Sequence, residues 1–184
     1  RGHSRRIKTK MNMNKKNLLL ITIISLVALA ARFIPHVPNF SPLASVMLFA
    51  GVYGQSKKYI ILPLIALLIS DIFLGFYKLE IMLAVYGSLT LAGLIGLWLK
   101  KNKNILNTAS ATLGSALLFF LATNMAVWYF GSWYSHDLTG LALCYNLAIP
   151  FFKSTIAGNI IYSTLLFGVY EGATYMIKEQ KLAF

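Results

Sequence analysis

Arg32-Phe33-Ile34-Pro35-His36-Val37-Pro38-Asn39-Phe40-Ser41-Pro42 interrupts a chain that is apolar on both sides of it, and it holds three of the five prolines in the sequence. Proline has no backbone N–H to donate, and it pushes the residue before it out of the helical region. The stretch therefore ends one helix, delays the next, and predicts a stiff polar link between two helices.

What lies on either side sets the class. The 184 residues are 58% hydrophobic and 12% charged, and the mean hydropathy is +0.67, far above that of a soluble domain. An integral membrane protein is expected. The net charge of +12 raises nucleic acid as a partner, but seven of the 17 Lys and Arg fall in the first 16 residues and most others sit in short runs between apolar segments. That is the pattern of membrane topology, so no nucleic acid is expected. The one cysteine, Cys144, excludes an internal disulfide and any multi-cysteine zinc site.

The expected organisation is a basic cytoplasmic tail over 1–16, a membrane domain over 17–177 and a cytoplasmic tail over 178–184. Residues 1–10 read as sequence upstream of a natural start at Met11. A cleaved signal peptide is not expected, because the run from Asn17 to Ile34 is long enough to span and no small-residue cleavage site closes it. Apolar runs at 17–34, 43–56, 59–77, 81–99, 108–131 and 151–177 predict an all-α, polytopic six-transmembrane-helix bundle. The second run is short for the roughly 20 residues of a crossing, so it must borrow from the link, cross thin bilayer or be shielded by neighbours.

Charge tests the count. Gln55–Lys58, Lys100–Asn104 and Lys178–Lys181 fall on one side with the basic N-terminus. The link, the Tyr77–Glu80 turn and the long segment 131–150 fall on the other, with Lys78 and Lys153 the cations near them. The positive-inside rule then puts both termini in the cytoplasm of a multi-pass plasma (inner) membrane protein. Small residues at Ser88, Ala92 and Gly96, and at Ala50 and Gly54, allow close helix approach, either within the bundle or to a partner subunit.

Polar groups inside apolar spans cost free energy unless paired, and so they nominate a site. Asp71, Asn124 and Asn159 each lie about 9–10 Å in from the outer ends of their spans at the helical rise. Trp128 shares a face with Asn124, Thr155 and Tyr162 lie near Asn159, and Arg32 stands at the outer end of the first span. Arg32 and Asp71 form the obvious charge pair, as structural clamp or as ligand contact. With His36 and Asn39 on a proline-stiffened rim and Tyr145 on a possible interfacial helix over 138–149, the candidate ligand-binding set is Arg32, His36, Asn39, Asp71, Asn124, Trp128, Tyr145 and Asn159. His36, His136 and Cys144 match no metal-ligand spacing, so no metal or cofactor is assigned. Glu171 suits anchoring or docking better than binding an external ligand. No catalytic motif is present, and an enzyme is not the expected class.

The motifs Arg-Phe-Ile-Pro-His-x-Pro-Asn-Phe-Ser-Pro (32–42), Leu-Phe-Ala-Gly-x-Tyr (48–53), Leu-Pro-Leu with Ser-Asp-x-Phe-Leu-Gly-Phe (62–76), Thr-Asn-x-Ala-Val-Trp (123–128) and Ala-Ile-Pro-Phe-Phe-Lys-x-Thr-x-x-Gly-Asn (148–159) resemble a family of small bacterial membrane proteins classed provisionally with transporters. In size and layout the chain resembles the substrate-binding S-components of energy-coupling factor (ECF) vitamin transporters. The resemblance implies capture of a vitamin-like or other micronutrient ligand in an outward pocket closed by loops. It also implies docking, through small residues of the first helix, to a transmembrane coupling subunit with ATPases. Here the first span has Ala28, Ala30 and Ala31 but no alanines four apart. No nucleotide-binding loop is present, so ATP coupling would come from partners. The alternatives are a membrane-embedded enzyme acting on a small or lipid-linked substrate, using His36, Asp71, His136 or Cys144, and a non-transporting membrane scaffold with a closed outer face.

Overall fold

The computed structural model describes residues 2–35, 37–54 and 56–182, with side chains described from Lys15 onward except at Lys178 and beyond Glu179. The described chain is helical throughout: α1 (Gly2–Ala31), α2 (Leu43–Tyr53), a 3₁₀ turn (Lys57–Ile60), α3 (Ile61–Leu74), α4 (Leu79–Leu99), α5 (Ile105–Phe130) and α6 (Leu138–Leu182). Among the described residues three helices are long and apolar enough to cross a membrane: α4, α5 and the Leu138–Ile177 part of α6. Their surfaces are mostly outward-facing leucine, isoleucine and aromatic side chains, which supports a membrane location.

α2 explains the architecture. Its 11 residues reach about 16 Å, roughly half the hydrocarbon thickness, yet every residue from Ala44 to Val52 is buried. A helix apolar on all sides belongs in the middle of a structure. Of the routes open to a short second span, shielding by neighbours is the one taken. α4 packs closest, and a methyl group on Gly51 would strike the Gly93 carbonyl, as one on Gly96 would strike that of Leu48. Ser88, Ala92 and Gly96 are thus spent on internal packing, and Ala92 is 1% exposed.

The other helices enclose this centre. α1 lies against α3 and α2, α5 against α4, and α6 against α5 and α2. Phe49 of α2 meets Phe167 and Tyr170 of α6 edge-on, each at 5.6 Å between ring centroids. Alternate links collect at opposite ends. At one end Asn17 Nδ2 donates to the Tyr53 carbonyl at 2.9 Å, Lys100 Nζ to that of Gly54 at 2.6 Å, and Lys103 pairs with Glu171. At the other, Lys78 Nζ donates to the Phe130 carbonyl, and Arg32 reaches α3.

Two expected boundaries differ. Helix α1 runs from Gly2 through the basic segment without a break, so the tail and the first span form one helix. The segment over 138–149 is no separate interfacial helix, because α6 continues through Pro150 for 45 residues. Proline removes one helical hydrogen bond, and neighbouring helices make such a position tolerable inside a bundle.

Candidate functional site

The proline link folds down onto the bundle rather than looping away. Asn39 takes φ of +62°, a left-handed conformation that asparagine accepts more readily than most residues. This reverses the chain, with Phe40 N–H donating to the Val37 carbonyl at 3.0 Å. Phe40 then packs on Tyr162 of α6 at 5.5 Å, and the link backbone rests on Gly158, where a side chain would have to displace it.

Beneath the link lies a pocket of about 330 Å³, near the lower end of small-molecule sites. Helices α2 to α6 contribute to its wall, together with Arg32 just past the end of α1. Arg32, Asn39, Tyr77, Thr155 and Asn159 supply the polar part, and Leu67, Leu89 and Phe119 supply apolar surface. The pocket exists because the central helix is short: Leu43 and Ala44, the first residues of α2, line it where a longer helix would fill it.

Arg32 and Asp71 meet as the sequence suggests. Arg32 Nη1 donates to Asp71 Oδ1 at 2.6 Å and also to the Ser70 hydroxyl. Asp71 is 1% exposed, and its second oxygen accepts from the Tyr86 hydroxyl at 2.7 Å. Both carboxylate oxygens are thereby satisfied, which a buried carboxylate requires. The carboxylate supports the guanidinium from behind, while Arg32 lines the pocket with a side chain 20% exposed. Among the described residues, Arg32 Nε and Nη2 have no hydrogen-bond partner.

Asn159, 2% exposed, is held by a buried polar ladder. Its Nδ2 donates to the Thr112 carbonyl at 3.4 Å, its backbone carbonyl accepts from Ser45 Oγ at 3.2 Å, and Ser163 Oγ donates to Ser45 Oγ at 3.0 Å. This ladder ties α2, α5 and α6 together below the pocket.

Asn124, Trp128 and Tyr145 sit elsewhere, between α5 and the start of α6, and do not line this pocket. Asn124 Nδ2 bonds the Phe120 carbonyl of its own helix at 2.8 Å, Trp128 Nε1 donates to the Ser135 carbonyl at 2.9 Å, and Tyr145 donates to the Leu121 carbonyl at 2.8 Å. Trp128 and Tyr145 thereby fasten the segment 131–137 and α6 to α5. His36 lies outside the described residues. His136 bonds the Gly131 carbonyl at 3.2 Å, and Cys144 is buried with its Sγ 3.5 Å from the Asn124 carbonyl. Among the described residues no three His, Cys, Asp or Glu side chains gather as metal ligands would.

Tyr77 and Tyr86 are the site residues that sequence reasoning passed over. By sequence Tyr77 falls in the turn at 77–80, and Tyr86 lies within the apolar run 81–99. The available signal was spacing from an acidic partner in space, which needs the packing of α3 on α4 to become visible.

No curated protein matches the chain, and no solved structure matches it. Residues 11–181 match a family described as of unknown function, DUF6580, and the chain belongs to that family.

Proposed function

We propose that this protein binds a small solute in the pocket beneath the proline link and serves its uptake, as a membrane solute-binding protein resembling an ECF S-component. The observation that carries the reading is the Arg32 guanidinium, which lines the pocket, is held by Asp71, itself anchored by Tyr86, and keeps Nε and Nη2 without a partner among the described residues. A donor edge held in place before the ligand arrives recognises a planar acceptor, such as a carboxylate, with little ordering cost. The first turn of α2 adds the positive end of a helix to the same wall. The rest is apolar and aromatic, which suits a small ring- or chain-bearing compound. At roughly 30 Å³ per water, the pocket holds about eleven water volumes, a size for a micronutrient rather than a peptide. Six crossings, with both termini cytoplasmic and the pocket outward, fit the charge pattern of the links.

A scaffold with a closed outer face is disfavoured by a pocket walled by five of the helices and the link. The S-component reading calls for a transmembrane coupling subunit with ATPases, and that subunit would have to dock away from Ser88, Ala92 and Gly96, which α2 already covers.

Native mass spectrometry of the protein purified from its own membranes is expected to show a retained small molecule in wild type, absent from Arg32→Ala and from the Arg32→Ala/Asp71→Ala double variant. If both variants hold the molecule as wild type does, with only their thermal stability reduced, the pair is a clamp and the reading fails. Stoichiometric conversion of the molecule during purification would favour the enzyme alternative instead.

A further inference from the structure

A second and larger hollow lies at the opposite end of the bundle, between α5 and α6. Its volume is about 610 Å³, and Ile105, Leu113, Ile160 and Phe167 are among its apolar walls. The charged groups sit at one extremity, where Lys103 pairs with Glu171, while Thr108, Thr112, Ser163 and Thr164 are the polar residues along the walls. On α5 it runs from Ile105 to Leu113, about 12 Å, and on α6 from Ile160 to Glu171, about 16 Å at the helical rise, with Lys103 and Asn104 of the preceding link beyond. That is the depth of one leaflet, half of a hydrocarbon core of about 30 Å. Water does not fill so apolar a space at that depth.

From this we infer that the groove is a binding site for an anionic phospholipid, an inference that rests on the membrane reading but not on the solute pocket. One acyl chain lies along the groove and the headgroup phosphate meets Lys103. The match is of charge as well as length. Lys100, Lys101 and Lys103 crowd the link before α5, while Glu171 is the one carboxylate lining the groove. An ammonium has three protons to donate, and Glu171 takes one from Lys103. The ion pair thus holds the lysine at the mouth of the groove without exhausting it. Basic groups near the cytoplasmic surface attract anionic lipid.

The test uses the full chain in detergent, delipidated and then supplied with phosphatidylglycerol or phosphatidylcholine, with bound lipid counted by native mass spectrometry. Wild type is expected to retain phosphatidylglycerol preferentially, and Lys103→Gln to lower that preference about fivefold, the worth of one lysine near a charged surface. Gly168→Phe fills the groove and is expected to abolish retention, since a side chain at Gly168 meets open space and folding is spared. Gly87→Phe, equally open but on α4 away from the groove, is the control that keeps the lipid. Equal retention of the two lipids, or unchanged retention in Gly168→Phe, overturns the inference. A change of oligomeric state in Gly168→Phe without loss of lipid also overturns it and makes a second copy the occupant. Protein that stays soluble without detergent refutes the membrane reading and the lipid site together. Detergent-dependent protein that holds no lipid refutes the groove alone.

Discussion

Asp71 is the residue on which the site depends, because its carboxylate is buried and satisfied by two hydrogen-bond donors, Arg32 just past α1 and Tyr86 of α4. Removing Arg32 leaves that carboxylate short of its countercharge, a loss of about 3–5 kcal/mol for a buried pair, whereas removing both partners is expected to cost less. Thermal unfolding of the two single variants and the double variant measures the difference. A second carboxylate acts at the surface. Asp137 precedes α6 and lies outside its membrane-crossing part, and its Oδ1 accepts from the Gly140 N–H at 2.7 Å and from the Ser135 hydroxyl at 2.9 Å. Those hydrogen bonds, the Gly140 amide foremost, lower its pKa below the ordinary aspartate value. A depressed carboxylate stabilises the fold above its unfolded pKa of about 4, and that contribution disappears as pH falls through the folded value. The first turn of α6 is therefore expected to fray on acidification in wild type and to lose that dependence in Asp137→Asn, read by amide hydrogen exchange at Gly140 and Leu141.

At the scale of elements, close backbone approach between α2 and α4 depends on glycine. Gly96→Ala places a methyl against the Leu48 carbonyl and is expected to destabilise by about 1–3 kcal/mol. Gly87→Ala, on the open face of the same helix, is expected to stabilise by about 0.5–1 kcal/mol through helix propensity. Opposite signs in a thermal-shift series check the packing directly. The helices were legible from apolar runs, and the link from its prolines, since both signals are local. The continuity of α6 through Pro150 was not, because a proline reads as a break unless the packing that tolerates it is known. Depth along the helices grouped Arg32, Asn39, Asp71 and Asn159 with Asn124, Trp128 and Tyr145, whereas the fold sets Arg32, Asn39 and Asn159 around one pocket, Asp71 behind Arg32, and the other three apart from it. Equal depth along three helices does not say which way each side chain turns. Rotation about the helix axis is set by the neighbours, and here it turns Asn124 back onto its own helix.

For the molecule as a whole, the bonds at the two ends sort the links into two groups, one with the basic clusters and one with the proline link. The proposed topology, in which α4, α5 and α6 cross, puts position 102 and position 132 on opposite faces of the membrane. In a Cys144→Ser background, an impermeant thiol reagent applied to intact cells is expected to label Ser132→Cys and to spare Asn102→Cys. Labelling of both refutes a crossing by α5.

The enclosure of α2 also bears on how the chain is built. Eleven residues cannot anchor themselves in a bilayer, and the surfaces that cover α2 come mainly from α4 and α6, which are synthesised after it. As the chain is made, α2 stays uncovered until those later segments arrive. The order of synthesis therefore runs against the order of burial. A chain stopped before α6 would keep its central helix uncovered on one side.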